Sequence, residues 1–398
     1  MTDVLPRRGW PLFASGFRPF FLLAGATALT TILVWLTVYV APDQWPEGDI
    51  AAIWWHAHEM LFGFVAAAIG GFLLTAVPNW TGRPPYTGPA LYLLVAAWLA
   101  GRLALAPLGL FPPIMRALID LSFFPLLALT LAPALLRAGK WRNLGFLLLL
   151  ALLLGCNVIF HLGLGGVVPA GEHIGLALAV DIVIVMIAIV GGRILPAFTR
   201  NGLMQRGQTI QIDADPWIER VSLVALLAMV IIDATMPMTR VSGGITLLAG
   251  VAQLFRLCQW QGHRTLHTPL LWVLHLGYAW LVLGLLLKAM WLLFALPLAT
   301  HWIHAFTAGA FATMIMAVMT RASLGHSGRP LVAPKPIAAA YAILSLAAAI
   351  RVFAPAFLPD HYQHVILVAG ILWGGAFAIF LAIYLPIFLT PRMDGKPG

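Results

Sequence analysis

Long apolar segments separated by short polar loops dominate the hydrophobic pattern of this chain. Each segment approaches the roughly 20 apolar residues that a helix needs to cross a bilayer core of about 30 Å. The alternating pattern of a transmembrane β-barrel strand does not occur, so helices are the expected way to satisfy the backbone in lipid. The pattern predicts twelve transmembrane helices at 18–41, 52–77, 89–109, 113–136, 143–163, 173–195, 216–236, 240–260, 269–295, 301–322, 336–355 and 363–389.

Composition supports an all-α, polytopic membrane protein. The 398 residues are 61% hydrophobic and 9% charged, whereas about a quarter of the residues in a soluble domain are charged. We expect one transmembrane domain over residues 1–398. The polar connection between Arg200 and Trp217 leaves open a division into halves 1–200 and 216–398, although no sequence repeat relates them.

Charge indicates the orientation in the membrane. The formal net charge is +9 and the pI is about 10.1, but the basic residues are scattered singly, which argues against a nucleic-acid partner. Lysines and arginines are concentrated in alternate loops and near both termini, and the first opposite loop carries Asp43, Glu47 and Asp49. The positive-inside rule therefore predicts that both termini are cytoplasmic. Residues 1–10 lack a signal-peptide cleavage site, so the first apolar segment is expected to remain as a helix.

Histidines are unevenly distributed across the predicted membrane. Eight of the twelve fall at or near the outer face, namely His56, His58, His161, His173, His301, His304, His361 and His364. The other four, His263, His267, His275 and His326, lie towards the cytoplasm. Imidazole suits haem iron and copper, and the two cysteines lie inside apolar segments and indicate no thiolate site. A polar cap at the interface is the alternative reading, which we favour for His361 and His364.

Helical geometry divides the strongest candidates. At about 100° per residue, His56 and His58 point to nearly opposite sides of the second helix, so they would serve two neighbouring sites. His301 and His304 are three residues apart and share one face of the tenth helix. These four histidines enter the apolar part of their helices, where polar groups tend to be functional. His161 and His173 are equally compatible with ligand and cap.

Other polar or small residues in the spans allow two readings each. Asp181 and Lys288 are the deepest charges and predict either a proton path or a structural ion pair. Met314, Met316 and Met319 are typical of packing, although thioethers also bind reduced copper. Gly63, Gly70, Gly71 and Gly309 would admit a flat cofactor or a closely packed helix. The remaining charges in or beside the spans are Arg102, Arg116, Asp120, Asp233 and Arg351.

Several motifs resemble those of the NnrS family, and they occur in that family's order over nearly the whole chain. They are Ser15-Gly16-Phe17-Arg18-Pro19-Phe20-Phe21, the stretch from Trp55-His56-Ala57-His58-Glu59 to Gly82, Gly192 to Asn201, His275 to Trp280, His304-Ala305-Phe306-Thr307-Ala308-Gly309-Ala310 and Met319 to Arg329. Of the candidate ligands, His56, His58, His275 and His304 fall in these motifs, as do Glu59 and His326. His161, His173 and His301 rest on the depth argument alone.

The resemblance implies a bacterial inner-membrane protein that contains haem and copper and acts in denitrification and resistance to nitric oxide. No Cys-x-x-Cys-His motif is present, so a b-type haem is expected. Nitric oxide or another small diatomic molecule would be the ligand, and an electron donor would remain to be identified. If the protein is an enzyme, its class would be a haem–copper oxidoreductase.

A weaker likeness to haem–copper oxidases runs from His56 to Phe72. The adjacent histidine pair and the His-x-x-x-Tyr helix of those oxidases are missing, so oxygen reduction is not predicted. The alternatives to the haem–copper hypothesis are a twelve-helix secondary transporter of a small solute and a haem-based sensor. A transporter would place its ionisable groups at the midplane, whereas the histidines here gather towards one face.

Overall fold

The computed structural model describes residues 10–46, 50–139, 141–208, 212 and 215–396. Five residues used to predict orientation, Arg7, Arg8, Glu47, Asp49 and Lys140, lie outside these ranges. Within them the chain forms helices and connecting turns, with no strand. The helices are α1 Phe17–Val40, α2 Ala52–Thr81, α3 Pro89–Ala104, α4 Pro113–Arg137, α5 Trp141–Leu164, α6 Gly171–Met204, α7 Pro216–Thr235, α8 Arg240–Gln259, α9 Pro269–Phe294, α10 Pro297–His326, α11 Lys335–Phe357 and α12 Tyr362–Leu389.

The predicted all-α membrane protein is confirmed. Ten of these helices are long and apolar enough to cross a bilayer. The two others are α3, an apolar helix of 16 residues, and α7, which spans 20 residues but carries Glu219, Arg220 and Asp233. All twelve predicted segments are thus helical in the described part of the chain.

Helix boundaries differ from the prediction where hydropathy and helix length diverge. Helix α6 continues to Met204 instead of ending near residue 195, because polar residues beyond the lipid can extend a helix. Helix α3 ends at Ala104, before Pro107 and Gly109. Helix α4 is divided at Ser122 into Pro113–Leu121 and Phe123–Arg137. Apolar patterning therefore located the spans but not the breaks within them.

Two helices contain π-helical segments. In α2 the segment is Glu59–Val65, and in α10 it is Ala305–Phe311. Segments of this type are rare, and they occur frequently at functional sites. Each one follows directly after a histidine that the sequence marks as a candidate ligand.

Glycines allow the helices that carry the histidines to pack closely. A Cβ atom on Gly309 would lie 2.7 Å from the Trp280 ring, and one on Gly277 would lie 2.8 Å from Met314, both at the contact between α9 and α10. In α2, a Cβ on Gly71 would lie 2.6 Å from the ring of Phe21 on α1. Helix packing thus accounts for Gly71 and Gly309, since small residues commonly allow close contact between helices in membranes. It also accounts for Met314, which packs against Gly277.

Helices α5 and α6 form another close pair. A Cβ on Gly171 would lie 2.7 Å from the Gly163 Cα, and one on Gly175 would lie 2.4 Å from the carbonyl oxygen of Cys156. These contacts fix the C-terminal half of α5 against the start of α6. That half of α5 carries Asn157 and His161.

Candidate functional site

Asp120 joins two of the predicted histidines in a buried cluster formed by α2, α4 and α5. Its Oδ2 atom lies 3.2 Å from His58 Nε2 and 3.0 Å from His161 Nε2. One ligand atom from each of these three residues lies within 4.8 Å of the others. Two imidazoles and a carboxylate at this spacing form a donor set able to hold a metal ion.

Asn157 connects Asp120 and His58 of the same cluster by hydrogen bonds. Its Nδ2 donates to Asp120 Oδ2 at 2.7 Å, and its Oδ1 lies 2.9 Å from His58 Nε2. His58 and Asn157 are each 1% exposed, and Asp120 is 3% exposed. The rings of Phe62 and Phe160 pack against His58 at centroid distances of 4.8 Å and 4.5 Å. The cluster is therefore positioned by hydrogen bonds and shielded from the surrounding lipid and water.

Arg102 on α3 links this cluster to Glu59. Its guanidinium donates to Glu59 Oε1 at 2.5 Å and also bonds to Asp120 Oδ1. The other nitrogen of His58, Nδ1, lies 3.4 Å from Glu59 Oε1. Two carboxylates thus bond to one guanidinium, and a second arginine, Arg116 on α4, lies within electrostatic range of His161. We call His58, Asp120, His161, Asn157, Glu59 and Arg102 the Asp120 cluster.

A second group of histidines surrounds Arg351 on α11. His56, His301 and His304 all lie close enough to Arg351 for electrostatic interaction. Arg351 Nη2 lies 3.4 Å from the hydroxyl of Tyr362, which lies 3.5 Å from His301 Nε2. We call His56, His301, His304, Arg351 and Tyr362 the Arg351 cluster.

Two imidazoles of the Arg351 cluster have unused nitrogen atoms. His56 Nδ1 and His304 Nδ1 are buried and bond to no described group. His56 stacks on the Trp35 ring, with centroids 4.5 Å apart and planes inclined by 22°. A buried polar atom without a partner is unusual in a native protein. These two atoms are therefore the best candidates in this cluster for binding a metal or another ligand.

The structure thus separates His56 from His58, as their angular offset on α2 predicts. It brings His58 together with His161, and His56 together with His301 and His304. Sequence reasoning missed the connecting groups Asp120 and Asn157. Their only signal was an acidic residue and an amide inside apolar segments, and that signal did not say which histidines they would meet.

The remaining predicted ligands lie elsewhere. His173 is exposed at the start of α6, and its ring lies 6.5 Å from the ring of Trp54, measured between centroids. His275 is buried at the opposite end of the bundle, where its Nε2 lies 2.8 Å from Thr199 Oγ1. Neither of them joins the two clusters.

The chain was compared with curated proteins and with sequence models of protein families. A search of curated proteins returned no match. The sequence model of the NnrS family, described as NnrS protein, matches residues 11–392. The matched region includes α1 to α12 and therefore both histidine clusters. Because this match covers nearly the entire chain, the protein belongs to the NnrS family.

Proposed function

We propose that this protein is a haem- and copper-binding protein of the bacterial inner membrane that binds or detoxifies nitric oxide. The observation that carries the proposal is the pair of histidine clusters on α2 and its neighbours, the Asp120 cluster buried and the Arg351 cluster partly buried, in a chain of the NnrS family. Both termini are proposed to face the cytoplasm, so that the clusters lie near the outer face.

We assign copper to the Asp120 cluster. Imidazole nitrogens and a carboxylate oxygen suit a divalent copper ion. The cluster also contains two carboxylates, those of Glu59 and Asp120, which would attract a cation. Asn157 and Glu59 would hold the ligands in place, as groups around metal ligands commonly do.

We assign a b-type haem to the Arg351 cluster. His56 and His304 would hold the haem iron, because their Nδ1 atoms are buried and have no hydrogen-bond partner and imidazole is a common ligand of haem iron. A bare metal dication beside Arg351 would be repelled. A haem brings its own carboxylates, which the guanidinium can bind in bidentate fashion. Charge thus favours haem here and copper at Asp120.

The chain's own residues would position and shield the ligand. Iron and copper, when bound, would supply an open coordination position and electrons for a diatomic molecule. Phe62 and Phe160 exclude water from His58, while Trp35 fixes the plane of His56. Arg351 would keep positive charge next to the bound ligand. An external electron donor is part of the proposal.

Absorption spectra and elemental analysis of the purified protein test these assignments. The native protein is expected to show a Soret band that shifts with nitric oxide, and to contain both iron and copper. His56→Ala and His304→Ala should lose the Soret band and iron, whereas His58→Ala and His161→Ala should lose copper. His173→Ala is the matched control, because that histidine is exposed and outside both clusters.

Two outcomes would contradict the proposal. Loss of both metals in the His173→Ala control would show that the changes act through general damage. A native protein free of both metals after expression with sufficient haem and copper would favour the secondary transporter, and solute uptake in proteoliposomes would then be measured.

A further inference from the structure

Lys288 on α9 pairs with two carboxylates from neighbouring helices. Its Nζ atom lies 2.5 Å from Asp233 Oδ2 and 3.6 Å from Asp181 Oδ1. Ser242 Oγ donates to the other oxygen of Asp233 at 2.5 Å. Asp181 and Lys288 are each 4% exposed. These four residues come from α6, α7, α8 and α9, so the group is enclosed by helices. The ion pair predicted for Asp181 and Lys288 is present and includes a third member.

The charges of this group do not balance. One ammonium faces two carboxylates, and an unpaired charge inside a membrane protein costs several kcal/mol. Among the described residues, the other groups that interact with it are the Ser242 hydroxyl, the thiol of Cys156 on α5, which lies within electrostatic range of Asp181, and the Trp302 ring, 5.1 Å from Lys288 Nζ. All three are neutral. A proton on the carboxylate pair would restore neutrality.

A proton fits this position better than a metal cation. Lys288 Nζ already pairs with both carboxylates, so a metal ion bound to them would lie close to a group that also carries positive charge. The hydroxyl of Ser242 already donates to Asp233 and so stabilises negative charge on that carboxyl group. Two neighbouring carboxyl groups in proteins often share one proton, because this removes the repulsion between two ionised carboxylates.

We propose that Asp181 and Asp233 together hold one exchangeable proton and supply protons to the histidine clusters. One side-chain contact and one electrostatic interaction relate this pair to the two clusters. Lys288 packs against Trp302, which lies between His301 and His304 in the chain. Cys156, within range of Asp181, precedes Asn157 of the Asp120 cluster. The bound proton follows from this geometry alone, whereas its destination rests on the proposed function.

Infrared spectroscopy of the metal-free protein in detergent tests the bound proton directly. At neutral pH the native protein should show one protonated carboxyl band in the spans that shifts when the solvent is changed to D₂O. Both Asp181→Asn and Asp233→Asn should abolish it, because each leaves one carboxylate and one ammonium. Lys288→Met should double it, because both carboxylates then need a proton. Because misfolding could remove the band but not strengthen it, the stronger band expected in Lys288→Met tests the bound proton independently of folding.

Glu219→Gln serves as the matched control. Glu219 pairs with Arg256 one to one, at 2.5 Å, so its carboxylate is already neutralised and the band should remain. No band in the native protein, or a band that survives both Asp variants, would overturn the bound proton.

A second measurement tests whether the proton held by Asp181 and Asp233 reaches the histidine clusters. In metal-loaded protein, Asp181→Asn should slow proton uptake on reduction by about tenfold or more, within the range of general acid–base effects, while the nitric oxide spectrum stays unchanged. Unchanged uptake would overturn the supply role. If the protein binds no metals, proton uptake on reduction cannot be measured, but the infrared experiment on the metal-free protein still tests the bound proton. The two failures are therefore distinguishable.

Discussion

His58 and His304 occupy the same position relative to the two π-helical segments of the structure. Each immediately precedes a seven-residue segment, Glu59–Val65 or Ala305–Phe311, and a glycine follows each histidine five residues later, Gly63 or Gly309. The wider turn of a π-segment changes the angular order of side chains that an ideal helix would impose. Two different helices thus present a histidine through the same local device, one to each cluster.

Replacing Gly309 tests how tightly the π-segment of α10 is packed. The added Cβ of Gly309→Ala would lie 2.7 Å from the Trp280 ring. Because Trp280 is 6% exposed and its Nε1 donates to Ser345 at 2.8 Å, the ring cannot move freely. We expect a loss of about 1–3 kcal/mol in unfolding free energy, measured by denaturation in detergent. Gly375→Ala is the control, since no atom lies within 4 Å of its Cβ; equal effects of the two substitutions would contradict the prediction.

Asp120→Asn should separate metal binding from folding. The amide keeps the shape of the carboxylate, and Arg102 keeps its bond to Glu59. The site nevertheless loses an anionic ligand between His58 and His161. Copper affinity should fall by about tenfold to a hundredfold, with haem content unchanged, as shown by copper titration and absorption spectra. Retention of native copper affinity would exclude Asp120 as a ligand. Asp394→Asn, in the exposed C-terminal segment, should leave both properties intact.

Arg102→Met should destabilise the protein more than any loss of a surface arginine. The guanidinium binds Glu59 and Asp120, whose side chains are 6% and 0% exposed. Removing it leaves two buried carboxylates without their cation, at a cost of about 3–5 kcal/mol. Thermal unfolding in detergent measures the effect, and Arg137→Met, on an exposed residue at the end of α4, is the control. Partial recovery in an Arg102→Met, Glu59→Gln double variant would confirm that charge is the cause.

The sequence predicted the spans because a bilayer requires about 20 apolar residues in each helix. It also predicted that His56 and His58 serve different sites, because helical geometry separates neighbours on one helix. It did not predict that Asp120 and Asn157 lie beside His58, since their meeting depends on how α2, α4 and α5 pack. The sequence did not predict the π-helical segments either, because their apolar periodicity does not differ from that of an α-helix.

Arg351→Met tests the charge environment of the proposed haem. Arg351 lies within electrostatic range of His56, His301 and His304. A nearby positive charge favours the reduced form of a metal centre, because reduction adds an electron. Removing it should lower the haem midpoint potential by on the order of 60 mV, the equivalent of about tenfold in a one-electron equilibrium. Spectroelectrochemical titration measures this shift. Arg392→Met is the control, because Arg392 binds the carbonyl of His326 at the other end of α10. An unchanged or raised potential in Arg351→Met, with haem content preserved, would place the haem away from the Arg351 cluster.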